Sequence, residues 1–78
     1  MQTLDALKEE LLQSNASFRA LAEEHRSCEQ RLEAIAQKSF LSEEDEAEEK
    51  RIKLHKLTLK DRMEQMLREA RGSARVSA

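Results

Sequence analysis

Between Leu4 and Ile35 the seam positions recur at alternating steps of three and four, through Leu4, Leu7, Leu11, Ser14, Phe18, Leu21, His25, Cys28, Leu32 and Ile35. That spacing keeps one stripe of a helix turned toward a partner, and it persists for more than four heptads with only Ser14 and His25 polar. No proline interrupts it. β-Branched residues are scarce, while Leu, Ala, Glu, Lys, Gln, Arg and Met dominate, so the chain favours helix over strand. The expectation is an all-α fold whose first helix runs over about residues 4–37, starting near Gln2 or Thr3.

Lys38-Ser39-Phe40-Leu41-Ser42 breaks the seam. Ser42 then reads as an N-cap, because its hydroxyl can accept from a free backbone N–H, and Glu43, Glu44, Asp45 and Glu46 stand where the helix dipole favours negative charge. The second helix is expected over about 43–71, with Ile52, Leu59, Met63, Met66, Leu67 and Ala70 on its apolar face. Arg68 and Arg71 before Gly72 are stop signals, which makes residues 73–78 a frayed tail.

Two long helices joined by a short turn are expected to fold back as an antiparallel, coiled-coil-like hairpin, a single unit over residues 1–72. If facing residues have numbers summing to about 80, the two stripes meet along their length. Cys28 then faces Ile52, His25 faces His55, Leu21 faces Leu59 and Phe18 faces Met63. The basic stretch Lys50 to Arg62 would lie beside Glu23, Glu24, Glu29 and Glu33, with Glu46–Lys50, Glu49–Lys53 and Glu64–Arg68 as pairs along the second helix. The seam would be built from Leu4, Leu7, Leu11, Phe18, Leu21, Leu32, Ile35, Ile52, Leu59, Met63 and Met66.

Length now bears on association. A chain of 78 residues is one domain or less, and of its thirty apolar residues ten are Ala, which buries little surface. Leu54 and Leu57 lie opposite the Ile52/Leu59 stripe, and Leu12 and Ala16 also leave the main stripe of the first helix. A hairpin buries one stripe per helix, so the second set needs another surface. Self-association is expected, most simply a homodimer forming a four-helix bundle, with Leu54, Leu57, Lys53, Lys56 and Lys60 as interaction residues.

Asn15, Phe18, Leu21 and His25, followed by Lys56-Leu57 and Leu59-Lys60-Asp61, match the segments N-x-x-F-x-x-L-x-x-x-H and K-L-x-L-K-D. On these residues the chain, over roughly 7–67, resembles the YdcH-like family of small bacterial proteins, whose function is unassigned. The resemblance implies a bacterial source and a helical hairpin, and no mechanism. Three positions depart from the pattern. Ala16 stands where a Pro often follows the Asn, which lengthens the first helix; Cys28 replaces a larger apolar residue; and His55 stands where a polar, non-titrating residue is usual.

Chemistry has few footholds. His25 and Cys28 share a helical face and the register brings His55 near, a ligand set that suits zinc with Glu24 or Glu29 as a fourth ligand; the plainer reading is two seam-edge histidines and a small buried thiol. Facing histidines would repel when protonated and loosen the hairpin below about pH 6, unless they are too exposed to matter. A nucleophilic Cys28 would need a base and an oxyanion site in a cleft, which a two-helix hairpin does not offer, so no enzyme activity, cofactor or small-molecule substrate is expected. A metal or redox sensor at Cys28 is the weakest reading. The acidic run at 43–49 lacks the spaced ligands and central Gly of a calcium loop.

A nucleic-acid-associated or regulatory role for the basic patch is the main rival to protein contact. Net charge is −2, no aromatic residue lies among the lysines for base stacking, and the acidic neighbour repels phosphate. An unidentified protein partner suits the interleaved Leu and Lys better than nucleic acid or a membrane surface. With no apolar leader, no stretch approaching ~18 apolar residues and a single cysteine, the chain reads as cytoplasmic.

Overall fold

The computed structural model describes residues 3–76, with side chains through Gly72. Among these residues the chain is all-helical, in three helices with no strand: α1 (Leu4–Ser14), α2 (Ala16–Ala36) and α3 (Glu43–Val76). Thr3 caps α1, its hydroxyl accepting from the Ala6 amide at 3.1 Å.

The single first helix expected over about 4–37 is divided at Asn15, which is extended at φ −123° and ψ 108°. Two sets of hydrogen bonds satisfy the broken ends. Asn15 Oδ1 accepts from the Phe18 amide at 3.0 Å, capping α2, while the Asn15 amide donates to the Leu11 carbonyl. Arg19 reaches back, Nε donating to the Leu12 carbonyl at 2.8 Å and Nη2 to that of Gln13 at 2.9 Å. Carbonyls that a helix end leaves without intrahelical donors are thereby bonded. A proline at 16 is therefore not needed for the break, since a strong N-cap residue supplies it.

The turn follows its sequence signals closely. Ser42 Oγ accepts from the Asp45 amide and the Ser42 amide donates to Asp45 Oδ2, each at 3.1 Å, a reciprocal capping box with Asp in place of the usual Glu. Lys38 Nζ lies 2.7 Å from Asp45 Oδ1 and ties the beginning of the connection to the first turn of α3.

Buried side chains form two clusters. Leu7, Phe18, Met63 and Leu67 make one, with Leu11, Leu12, Met66 and Ala70 packed against it. Cys28, Ile35, Ile52 and Leu59 make the other, joined by Leu32 and Leu41. Leu21 packs on both and so bridges them. Each fully buried Leu, Ile, Phe or Met stabilises by about 1.5–3 kcal/mol relative to exposure, so these eight carry most of the fold. The result is a rod of 55 × 20 × 16 Å.

Three expectations about the helices need correction. Leu4, assigned to the seam, is 55 % exposed in the first turn of α1 and belongs to neither buried cluster. Leu12, assigned off the stripe, is half-buried against the Phe18 cluster, because the break lets α1 turn independently of α2. Gly72 does not end α3: its φ is not positive, so the left-handed conformation that stops a helix is absent, and the backbone stays helical through residue 76. Of the expected tail, only residues 77 and 78 lie outside the described residues. A Cβ at Gly72 would meet nothing within 4 Å. Gly72→Ala is accordingly expected to stabilise by about 0.5–1 kcal/mol, seen as a higher Tm and greater helicity; a lower Tm would show that the helix ends at Gly72 after all.

Candidate interaction surface

Of the residues expected to mediate contact, Leu54 and Leu57 fall on the side of α3 away from its buried stripe, whereas Lys53, Lys56 and Lys60 stand beside His25 and Leu32 of α2. Leu54 is 68 % exposed and Leu57 54 % exposed. At about 100° per residue, both lie roughly opposite Leu59 and Ile52, which are buried. Leu57 also borders an open groove of about 270 Å³, together with Leu32, His25, Lys53, Lys56 and Lys60. An apolar floor with three lysines at its rim can accept an apolar side chain flanked by acids. The lysines differ in their present engagement. Lys53 Nζ is 3.4 Å from Glu49 and Lys56 Nζ is 3.9 Å from Glu29, whereas Lys60 has no ion pair among the described residues. Of the three pairs expected along the second helix, only Glu49–Lys53 forms among these residues.

The histidines do not face each other. His25 Nδ1 is 3.0 Å from Glu29, and His55 Nε2 is 2.8 Å from Glu24. They also line different grooves: His55 stands with Cys28, Arg31, Glu48, Arg51 and Ile52, on the side of the seam away from His25. The register places the two residues at the same level, but the side chains leave the seam in opposite directions. Each is paired with a carboxylate and not with the other histidine, so the repulsion expected between them has no geometric basis. Cys28 is buried and unpaired. Among the described residues no three His, Cys, Asp or Glu side chains are grouped to hold a metal ion. In the same region, no helix is long and apolar enough to cross a membrane.

A titrating group of consequence sits at the turn instead. The Lys38 ammonium bonded to Asp45, then the Ser42 amide and hydroxyl, hold the Asp45 carboxyl below the ordinary carboxylate range. Because the folded-state pKa is depressed, its contribution is present above the unfolded value of about 3.9 and is lost as pH falls through the folded value. Helicity is thus expected to hold between pH 8 and pH 5 and to fall below about pH 4, and Asp45→Asn should flatten that acid limb. A fall already complete above pH 5 would overturn this reading of Asp45.

A family model described as a protein of unknown function, DUF465, matches residues 18–67, well over half of the chain. The chain belongs to this family. The match begins at Phe18, the most deeply buried side chain, and ends at Leu67, so it takes in both halves of the seam contributed by α2 and α3, the turn between them, and Leu54 and Leu57. It leaves α1 outside. No curated protein and no solved structure matches the chain.

Two surface residues escaped the sequence reading. Phe40, in the connection between α2 and α3, is 83 % exposed, and Arg19 serves as the cap of α1. Phe40 could have been found as the lone aromatic in a segment without periodicity. Arg19 gave no such signal, because reaching back six and seven residues requires the break at Asn15.

Proposed function

We propose that the chain is an antiparallel helical hairpin acting as a self-associating protein-contact module of the cytoplasm, with no catalytic role. The contacts support the hairpin in order outward from the turn: Lys38 with Asp45, Arg31 with Glu48, Glu24 with His55, then Phe18 with Met63 and Leu67. The resemblance to the YdcH-like family, drawn over roughly residues 7–67, is consistent with the family match, which covers residues 18–67 and leaves out the first part of that span. A reducing compartment suits the single unpaired thiol.

The observation that carries association is the exposure of Leu54 and Leu57 on the side of α3 opposite its buried stripe. Scattered single apolar residues on a surface are ordinary, but two of the eleven Leu within four residues, set among lysines, form a patch on a chain with little core to spare. Sedimentation at micromolar concentration tests it. The expected particle has about twice the 9.0 kDa chain mass, and a single 9.0 kDa species would overturn the proposal.

A further inference from the structure

The exposed face of α3 has a self-complementary pattern. Glu43, Lys50, Leu54, Leu57, Asp61 and Arg68 all lie within about 40° of one line along the helix, and every one of them is exposed. None of the four charged members forms an ion pair among the described residues. Laid against its own reversed copy about a two-fold axis between Leu54 and Leu57, the stripe sets Leu54 against Leu57 of the second copy. The same alignment then brings Lys50 opposite Asp61 and Glu43 opposite Arg68, each twice by symmetry. A parallel, in-register alignment would instead oppose Lys50 to Lys50 and Asp61 to Asp61. Like charges directly opposed in a seam disfavour that arrangement.

Resting on the reading of self-association above, we propose that the chain dimerises through an isologous antiparallel pairing of α3 with α3 of a second copy, with Leu54 and Leu57 at the two-fold axis and Lys50 bound to Asp61 of the second copy. The occupant of this face is a second copy because its charges answer those of the stripe in order, apolar at the centre and opposite in sign on either side. Lys53 and Lys60 stand to one side, over the groove with Leu32, and are not members of the seam. The stripe spans 43 to 68, about 38 Å of helix, which is long enough for nearly four heptads of contact.

The position of the stripe also sets the shape of the assembly. A square four-helix bundle needs the two contact stripes of a helix about 90° apart, whereas those of α3 are about 180° apart. The dimer is therefore a flat layer of four helices, with the two copies of α3 in the middle and α2 outermost on each side.

Charge reversal separates this pairing from self-association in general. In sedimentation equilibrium, with helicity followed by circular dichroism, Lys50→Asp turns two attractions into two repulsions and is expected to weaken the dimer about tenfold. The double variant K50D/D61K restores both pairs and should return the affinity to within about twofold of the original. A dimer unaffected by K50D, or one that K50D/D61K fails to restore while helicity is intact, overturns the pairing and leaves self-association standing. A wild-type chain that is monomeric overturns both.

Discussion

Phe18→Ala is expected to remove most of the cooperative thermal transition. Among the described residues Phe18 is the one fully buried large side chain, 0 % exposed, and it joins Leu7 of α1 to Met63 and Leu67 of α3. Truncating a buried Phe costs about 3–5 kcal/mol, part for the lost transfer to an apolar environment and part for the cavity left behind. A chain of this length has about 4–12 kcal/mol to lose, and one so poor in large apolar residues stands at the low end of that range, so the variant would be largely unfolded or close to it at ordinary temperature. Circular dichroism at 222 nm during heating reads the result. Phe40→Ala supplies the contrast: this second phenylalanine is 83 % exposed, and its removal should shift stability by no more than about 0.5 kcal/mol. Equal effects from the two would mean that Phe18 is not the centre of the core.

Leu57→Glu is expected to have the largest effect on association, with little on helicity. The side chain is 54 % exposed, so the folded chain loses little when it is replaced. In an isologous interface the change counts twice, and at about 1.5–3 kcal/mol per buried Leu the dimer should weaken by a hundredfold or more. The new carboxylate would stand four residues after Lys53 and three before Lys60, where pairing within the helix offsets its lower propensity. Sedimentation should then give a 9.0 kDa particle with unchanged ellipticity. A variant that loses helicity at high concentration would place Leu57 in the intramolecular core and remove the basis for the second surface.

Much of this architecture was legible from local chemistry. The Ser42 cap, the acids after it and the apolar stripe of α3 each have a mechanism that acts within a few residues, and each appears where the pattern puts it. Periodicity misled at Asn15, because a heptad stripe continues through a one-residue break as readily as through an unbroken helix. A signal was present, since Ser14, Asn15 and Ser17 are weak helix formers and Asn is among the strongest N-caps. Gly72 misled in the opposite sense: glycine permits a stop without requiring one. The histidines show a third kind of limit. Register gives the level at which two residues stand, and only the angle around each helix tells whether they meet.

The break at Asn15 also corrects a mismatch of phase. A strict heptad stripe drifts about 20° per repeat around a straight α-helix, so the four heptads from Leu7 to Ile35 would carry it about 80° off line unless the helices supercoiled. On α3 the buried residues change course as well, passing from the seven-residue step between Ile52 and Leu59 to four-residue steps through Met63 and Leu67. Each such step turns the buried line about 40° around the helix. By interrupting the backbone for a single residue, Asn15 lets α1 take up a fresh angle and follow that turning line, so that Leu7 still reaches Met63 and Leu67. A rod that would otherwise have to coil along its whole length can instead absorb its twist at one capped joint.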